Sequence, residues 1–316
     1  MNNELVSAII TTHDRDPETV IRAVNSVLCQ TYGKIELIVV DDSSAKYPKR
    51  NAVENAVRAA SSDIVYIRHA ENRGSCAARN TGLAHANGYY VAFLDDDDEW
   101  VPCKIEEQMK GFSADNTALV YSGTTIVDEV RDIKYEAHVV FNSGYVYDDL
   151  LKRITRIGST SNPLIRKDCI DEVGRFDTEL QSLQDFDLWL RIAKKYPVNY
   201  IEKPLLNYHL HHNERISTNN DKQVSGIERF IEKYTDDIIK DNKTWRIWHR
   251  EVVVRYAHKR WKKKALLLWG KCIAKYPWEV MDNLKLLLLI IFGFDSLLYK
   301  SYRKTKDTLN TRLQKR

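Results

Sequence analysis

The sequence predicts an α/β fold in which a mostly parallel sheet carries helices on both faces, with a helical region at the C-terminus. Two observations lead to this prediction. Uninterrupted apolar stretches alternate with amphipathic stretches in the first part of the chain, and strand-like patterns disappear after about residue 216. We therefore expect one α/β domain over residues 1–216 and a helical region over residues 217–316.

Four short apolar segments predict the first strands, over residues 5–10, 35–40, 64–67 and 90–94. Helices are expected between them, one opening at Pro17, one over residues 51–60 and one over residues 75–87 before Gly88. Polar clusters at 11–14, 41–44 and 95–98 follow three of the strands. Because the carboxyl ends of parallel strands share one edge of a sheet, these clusters predict a ligand site there.

The second half of the chain has a less regular pattern. Residues 118–122 predict another strand, residues 134–147 a hairpin or an inserted loop, and residues 185–195 a helix. Beyond residue 216 the sequence indicates helices and is rich in Trp, Lys and Leu. We expect the domain boundary at that position.

The composition favours a folded chain that does not bind nucleic acid as a whole. Apolar residues make up 43% and charged residues 29% of the 316 residues, and the formal net charge is only +4. The five cysteines are odd in number and form no C-x-x-C pair, which indicates a reducing compartment. The N-terminus lacks the basic start and apolar stretch of a signal peptide, so we expect a cytoplasmic protein.

Four consecutive carboxylates, 95–98, follow the fourth predicted strand. Like charges this close repel one another, so a bound cation or protonation has to stabilise them. Oxygen ligands suit Mg²⁺ or Mn²⁺, which proteins often hold with one or two carboxylates plus substrate phosphates. A calcium-binding loop is excluded because Trp100, not glycine, follows Glu99 where such a loop turns. An acidic surface turn is the alternative, but the apolar strand before the run and the segment 99–102 after it favour a site.

Four motifs occur in order along residues 5–112. They are V-S-A-I-I-T-T-H at 6–13, E-L-I-V-V-D-D-S-S at 36–44, N-R-G-S-C-A-A-R-N-T-G at 72–82 and F-L-D-D-D-D-E-W at 93–100. Together they resemble the inverting family-two glycosyltransferases, and the resemblance continues loosely to about residue 217. It implies a GT-A fold and transfer of a hexose from a nucleotide diphosphate sugar, a UDP-sugar in particular. It also implies Mn²⁺ or Mg²⁺ as the cofactor.

The resemblance further implies roles for single residues. The positions it assigns to nucleotide-sugar binding are Thr11, His13, Asp42, Arg79, Asp96 and Asp97. The first three match residues that hold the base, Arg79 matches one that faces the ribose and diphosphate, and Asp96 or Asp97 would contact the ribose. Asp96 and Asp98 match the family's Asp-x-Asp pair, in which Asp98 is the expected metal ligand. A cation there neutralises the departing diphosphate.

An inverting transfer needs one base that takes a proton from the acceptor hydroxyl. The segment 183–191, L-Q-D-F-D-L-W-L-R, resembles the family's Glu-Asp motif, which assigns the base to Asp185 and places Gln184 where Glu is usual. At helical spacing Asp185 shares the apolar face, whereas Asp187 and Arg191 lie opposite, at the i,i+4 spacing of a surface pair. The alternative is that Asp185 only caps the helix.

The segment 208–217 resembles the stretch that closes the family's active site. His211 matches a histidine that is common there, and the resemblance implies that it contacts the diphosphate or the metal. His209 replaces a frequent Arg. The alternative is a solvated polar loop containing three histidines.

Three functions from different classes fit parts of this pattern. The first is a transferase whose acceptor is a glycan hydroxyl, on a lipid-linked oligosaccharide for a bacterial surface polysaccharide. The second is a non-catalytic sugar- or nucleotide-binding module at the membrane, which the presence of both the Asp run and Asp185 disfavours. The third is a nucleotidyltransferase, which would carry a Gly-rich phosphate loop, whereas residues 11–17 contain no glycine.

The C-terminal region predicts peripheral attachment to an anionic membrane at its cytosolic face, without a spanning helix. Residues 243–264 contain nine Lys or Arg and one acidic residue, interspersed with Trp245, Trp248 and Trp261. Residues 286–294 form an apolar run too short to span a bilayer, and basic residues return from Lys300. Basic and aromatic residues around an apolar segment are typical of interfacial helices. The alternative is that the run packs within a helical subdomain or against another subunit.

Overall fold

The computed structural model describes residues 4–112, 116–210, 220–275, 277 and 280–292. The chain divides into two compact units. The first unit comprises Met1–Glu179 and Gln184–Asn213, and the second comprises Leu180–Leu183 and Glu214–Arg316. Each unit has its own hydrophobic core.

Nine strands of the described residues form one sheet in the first unit. They are β1 Val6–Thr12, β2 Ile35–Asp41, β3 Val65–Arg68, β4 Tyr90–Asp95, β5 Glu99–Trp100, β6 Leu119–Asp128, β7 Ile133–Glu136, β8 Leu164–Arg166 and β9 Val198–Leu210. Their order is β3-β2-β1-β4-β8-β6-β9-β5, and β7 pairs with β6. The strands β1 to β4 are parallel, as predicted, and so are β6 and β9. The strand β8 runs antiparallel to β4 and β6, and β5 antiparallel to β9.

The helices of the first unit fill the connections between these strands. They are α1 Pro17–Leu28, α2 Arg50–Ala60, α3 Ser75–His85, α4 Lys104–Met109, α5 Tyr147–Leu151, α6 Lys167–Val173 and α7 Gln184–Lys195, with a short 3₁₀ helix at Lys110–Phe112. Proline at the first position of α1 fixes a helical φ where no N–H is needed. A hairpin is present earlier than predicted, as the antiparallel pair β6–β7, and most of residues 134–147 form the loop that follows it.

Side chains along β1 show that both faces of the sheet are covered. Ala8 and Ile10 belong to one hydrophobic core with buried residues of α1, α2 and α4. Ile9 points to the opposite face, because side chains alternate along a strand, and there it meets α3 at Gly82. A Cβ on Gly82 would lie 2.4 Å from Ile9 Cγ2, so only glycine allows α3 to lie this close to the sheet.

The second unit consists of helices in its described residues. They are α8 Asn220–Lys233, α9 Thr235–Ile238, α10 Asn242–His258, α11 Lys262–Lys275 and α12 Val280–Phe292. Asp241 caps α10, because its carboxylate accepts hydrogen bonds from the N–H groups of Lys243 and Thr244. No helix among the described residues is long and apolar enough to cross a membrane.

The core of the second unit corrects two details of the membrane prediction. Trp248 is fully buried against Phe230, with ring centroids 4.4 Å apart, and Trp245 stacks on His249. Trp248 therefore does not face solvent, and Trp245 is only partly exposed. Three residues of the apolar run 286–294, Leu286, Leu289 and Ile290, are buried in the core formed with α10 and α11. Residues 293–316 lie outside the described residues.

Candidate active site

The polar clusters that follow β1, β2 and β4 lie side by side at one edge of the sheet. Thr11 pairs in register with Val40 of β2 on one side and with Asp95 of β4 on the other. Thr12 pairs with Asp41 in the same way. The structure thus brings together the three segments in which the sequence predicts a site.

The run 95–98 forms a tight turn whose four carboxylates have different surroundings. The N–H of Asp98 donates to the carbonyl of Asp95 at 3.1 Å, which places Asp96 and Asp97 at the tip. Asp98 points inward and is 1% exposed. The side chains of Asp97 and Asp95 are 14% and 30% exposed. Asp95 and Asp97 are therefore more exposed than Asp96, which is 5% exposed.

Protein groups occupy both oxygens of the buried Asp98. The hydroxyl of Ser161 donates to Oδ2 at 2.7 Å, and the N–H of His209 donates to Oδ1 at 3.2 Å. The ring of His209 lies between two carboxylates, 2.7 Å from Glu99 Oε2 and 2.7 Å from Glu129 Oε1. Asp98 is thus anchored at the inner side of the turn, and its role as the metal ligand stays a prediction.

Arginines from two helices and loops supply counter-charge to the turn. Arg15 contacts Asp96 Oδ1 through Nε at 3.0 Å and through Nη2 at 2.9 Å, and it reaches Asp97 Oδ2 at 3.3 Å. Arg22 of α1 donates to the backbone carbonyl of Asp97 at 2.9 Å. Within the described residues, no Lys or Arg side chain forms an ion pair with Asp98.

The charge balance of the turn suits a divalent cation. Burial raises the pKa of Asp96, with Arg15 opposing it, and burial together with the charges of Asp95 and Asp97 raises the pKa of Asp98 well above its usual range. At Asp98 the neighbouring carboxylates thus add to the cost of a negative charge, a cost that a bound cation would offset. No group of three or more metal-binding side chains exists among the described residues. The donor set fits a cation that completes its shell with substrate phosphate oxygens.

The expected base-binding residues lie beside the turn. His13 Nδ1 is 3.0 Å from the carbonyl of Asp42 and 2.9 Å from the amide nitrogen of Asn72, and the ring is about half exposed. Thr11 is half-buried at the end of β1. Both can be reached by a ligand at this edge of the sheet.

The carboxylate of Asp42 holds the loop that leads into α3. Its oxygens accept hydrogen bonds from the N–H groups of Arg73 and Gly74, each at 2.8 Å, and His69 Nδ1 lies 2.7 Å from Oδ1. Gly74 has a φ of 87°, which glycine adopts without strain. The side chain of Asp42 therefore shapes the loop before α3, an interaction that the sequence did not reveal.

Arg79 lies on α3 and connects the turn to α7. Its Nη2 donates to Asp95 Oδ1 at 2.7 Å, and the side chain is nearly buried. Gln184, at the start of α7, accepts from Ser75 Oγ at 2.9 Å and lies 3.5 Å from Arg79 Nη1. A strand end, α3 and α7 thus meet at one guanidinium.

Asp185 lies in the first turn of α7, next to this guanidinium, and is partly exposed. Burial raises the pKa of Asp185, while the N–H of Phe186 and the charge of Arg79 oppose the rise. A partly exposed carboxylate whose pKa is raised by burial is a candidate general base.

The helical-face argument for Asp187 was wrong. Asp187 is fully buried and pairs with Arg191 Nη2 at 2.9 Å. Arg191 also donates to the carbonyls of Val173 and Arg175, at 2.9 and 2.8 Å. The face opposite the apolar residues is therefore covered by the end of α6, and the i,i+4 pair is a buried one.

Three contributors to the site were missed by sequence reasoning: Arg15, Ser161 and His209. Arg15 follows β1 directly, and a basic residue near an acidic run is a signal that the sequence did contain. Ser161 comes from a distant segment without a recognisable motif, and His209, although it lies in the segment expected to close the site, was given no contact with the turn. His211, the other expected metal-side residue, lies outside the described residues.

Comparisons with known proteins agree with this geometry. The profile described as Glycosyl transferase family 2 matches residues 7–174. A glycosyl transferase of Escherichia coli K12 named for colanic acid biosynthesis, WcaA, is 28% identical over 260 residues, which cover 78% of this chain and 87% of that protein. The Escherichia coli enzyme named UDP-Glc:alpha-D-GlcNAc-diphosphoundecaprenol beta-1,3-glucosyltransferase WfgD is 29% identical over 201 residues, 64% of this chain and 74% of that protein.

Other relatives are longer than this chain, which spans 32% of the length of an uncharacterized glycosyltransferase of Rickettsia bellii. Among solved structures, the mannosyltransferase PcManGT from Pyrobaculum calidifontis, in complex with GDP-Man and Mn²⁺, superimposes with a TM-score of 0.57 at 17% identity, covering 95% of this chain and 83% of that one. The likeness confirms the GT-A type of fold predicted from the motifs. With a family profile that covers more than half of its residues, the chain belongs to glycosyl transferase family 2.

Proposed function

We propose that this glycosyltransferase moves a hexose from a nucleotide diphosphate sugar, a UDP-sugar, to a hydroxyl of a glycan acceptor with inversion of the anomeric centre. The observation that carries the proposal is the meeting of Asp185, Arg79 and the Asp turn at one edge of the sheet. That arrangement sets a base beside the residues suited to hold a diphosphate.

The donor side is formed by the residues around the turn. Thr11 and His13 would contact the base, Asp96 the ribose, and Arg79 the diphosphate. Asp98 would bind Mn²⁺ or Mg²⁺, as the motifs imply, and Asp97, whose side chain is 14% exposed, would supply a second carboxylate. Such a cation, when bound, neutralises charge on the departing diphosphate. His211 remains a proposed contact of the diphosphate or metal.

The proposed reaction is a single displacement. The acceptor oxygen attacks the anomeric carbon while the bond from that carbon to the diphosphate oxygen breaks. Asp185 takes the proton of the acceptor hydroxyl, and the nucleoside diphosphate leaves. Because one base and one displacement are involved, an α-linked donor gives a β-linked product.

The acceptor proposed here is a lipid-linked oligosaccharide used for a surface polysaccharide. Its support comes from two relatives, one named as a transferase acting on a diphosphoundecaprenol-linked sugar and the other named for colanic acid biosynthesis. A first acceptor to assay is therefore a lipid-diphosphate-linked N-acetylglucosamine.

The experiment that tests the function combines a donor panel with product stereochemistry. Purified protein is incubated with UDP- and GDP-hexoses, the lipid-linked acceptor and Mn²⁺, and the product is examined by proton NMR. We expect transfer from one donor class and a β-anomeric signal from an α-donor. An α-product would overturn the inverting mechanism. Nucleotide binding without turnover of any donor would instead favour the alternative, a non-catalytic sugar- or nucleotide-binding module at the membrane.

The second unit supports a further part of the proposal, peripheral attachment to the cytosolic face of an anionic membrane. Lys262 Nζ donates to the carbonyl of Ile291 at 3.0 Å, which brings the start of α11 to the end of α12. The residues gathered there, here called the basic–aromatic patch, are Trp261, Lys262, Lys263, Lys264, Ile291 and Phe292.

The patch has the chemistry of an interfacial anchor. Trp261, Ile291 and Phe292 are exposed, Phe292 at 60%, and Lys264 Nζ lies 4.7 Å from the ring centre of Trp261. Exposed apolar side chains next to lysines bind the headgroup region of anionic bilayers, where each lysine contributes about 1 kcal/mol. A lipid-linked acceptor would be met at that surface.

A further inference from the structure

A single buried hydroxyl joins the two ends of the Asp turn. Ser161 Oγ accepts a hydrogen bond from the N–H of Asp95 at 3.0 Å and donates to Asp98 Oδ2 at 2.7 Å. Ser161 is fully buried. Asp96 and Asp97 lie between the two bonded residues, so the position of their carboxylates follows from this contact.

The backbone of Ser161 and its neighbour Asn162 are held by further buried hydrogen bonds. Its carbonyl accepts from Trp100 Nε1 at 2.9 Å, and the next carbonyl, that of Asn162, accepts from Gln108 Nε2 at 3.0 Å. The side chain of Asn162 bonds both backbone groups of Ser122 on β6, at 2.7 and 2.9 Å.

The last member of this buried chain is Lys104. Its Nζ donates to Gln108 Oε1 at 2.7 Å and lies 4.4 Å from the ring centre of Trp100, and the side chain is fully buried. Buried polar groups that are hydrogen-bonded in series tolerate little displacement, because each unmade bond leaves an unsatisfied group. Ser161 thus belongs to a rigid frame.

We infer that Ser161 is a positioning residue, which sets the geometry in which the turn presents Asp96 and Asp97 to a divalent cation and a nucleoside diphosphate. The inference rests on the proposed function. Ser161 touches neither ligand and acts through Asp95 and Asp98. Its loss should therefore change the cation requirement more than it changes the fold.

The chain contains a matched control in Ser7. This serine is also fully buried, and its hydroxyl also accepts from a backbone N–H, that of Gly88 at 2.8 Å, while donating to a carboxylate, Glu36 Oε1 at 2.5 Å. Ser7 lies at the opposite end of β1 from the Asp turn. Removing either hydroxyl deletes one hydrogen bond from a backbone N–H and one to a carboxylate. Only the bonds of Ser161 involve the Asp turn.

The experiment compares Ser161→Ala, Ser161→Cys and Ser7→Ala with the unmodified full chain. The readouts are the melting temperature, Mn²⁺ binding by electron paramagnetic resonance with UDP or GDP present, and kcat and KM of transfer as Mn²⁺ is varied. We expect Ser161→Ala to raise the Mn²⁺ concentration for half-saturation about tenfold, as for one lost charge-assisted bond. Ser7→Ala should lower the melting temperature without changing that concentration. Ser161→Cys keeps the side-chain size if the alanine variant does not fold.

Two results overturn the inference, and they are distinguishable. If Ser161→Ala and Ser161→Cys fold and need the same Mn²⁺ concentration as the unmodified chain, the positioning role is wrong while the proposed function stands. If the unmodified chain binds neither UDP nor GDP with Mn²⁺, the proposed function fails and the inference fails with it.

Discussion

Arg191 donates to the fully buried carboxylate of Asp187 through both Nε and Nη2, at 3.0 and 2.9 Å. The same guanidinium bonds the carbonyls that end α6. Asp187→Asn removes the charge that this guanidinium needs, so we expect it to lower the free energy of unfolding by about 2–4 kcal/mol. Chemical denaturation measures the change.

The loss should appear in stability and not in catalysis. Per folded molecule, kcat of Asp187→Asn should stay within about twofold of the unmodified chain, because Asp187 touches no ligand. A large drop in kcat without loss of stability would show that Asp187, not Asp185, is the base.

Asp185→Asn should keep nucleotide binding and lower kcat by roughly 10²–10⁴-fold, since only the proton acceptor is lost. The raised pKa of Asp185 means that activity falls as the solution is acidified at a pH above the ordinary value for Asp, because the base becomes protonated there. The residual rate of Asp185→Asn should lack this acidic limb. The measurement is a pH profile of kcat/KM for both proteins. If the variant shows the same fall in activity at acidic pH, a group other than Asp185 causes that fall.

The exposed and the buried aspartate of the turn should respond differently to substitution. Asp97→Asn should raise the Mn²⁺ requirement by tenfold or more with little effect on melting temperature, because its side chain has solvent on one side. Chelation with EDTA should stop the unmodified enzyme, and Mn²⁺ or Mg²⁺ should restore it. Full activity in excess chelator would contradict the metal proposal.

Asp98→Asn tests the buried charge through the dependence of stability on pH. The folded-state pKa of Asp98 is raised, so the folded chain binds this proton more tightly than the unfolded chain, and stability falls as the pH rises from about 4 to the raised pKa. The variant has no such group. In EDTA, its melting temperature minus that of the unmodified chain should therefore increase with pH. If the difference in melting temperature stays constant from pH 4.5 to 8, the pKa of Asp98 is not raised in the folded chain.

Membrane attachment is tested by flotation with anionic liposomes at low salt. The double substitution Ile291→Glu with Phe292→Glu should leave the protein at the bottom, because it places two negative charges in the basic–aromatic patch. Ile239→Glu is the control, since Ile239 is an exposed apolar residue of the same unit, at 53%, outside the patch. Equal flotation of both variants would move the attachment site elsewhere.

The parallel half of the fold could be predicted because its strands are continuous apolar runs, three of which end in a polar cluster. Parallel pairing of β1 with β4 then places Thr11 next to Asp95, as expected for strands that end at the same edge of the sheet. The strand β9 was not predicted, because its 13 residues include charged and polar side chains at half-exposed positions. The strand β9 is stabilised by pairing with β6 along the residues from Leu119 to Asp128, and this pairing is not visible in the sequence pattern of β9.

The different surroundings of the four aspartates in the turn could not be predicted from the sequence, because the four residues are identical. Which carboxylate points inward depends on the hydroxyl of Ser161 and the N–H of His209, 63 and 111 positions away in sequence. Helical periodicity failed for Asp187 on similar grounds. It separates the two faces of α7 but does not say that α6 covers the polar one.

The ion pair between Arg79 and Asp95 depends on how closely α3 packs against β1 at Gly82. Arg79 and Gly82 are three residues apart on α3 and so share a face of the helix. A methyl group at position 82 would force Ile9 or the whole helix to shift, because 2.4 Å is shorter than any carbon–carbon contact allows. The guanidinium of Arg79 would move with the helix. The lack of a side chain at position 82 therefore helps to keep Arg79 Nη2 within 2.7 Å of Asp95 Oδ1.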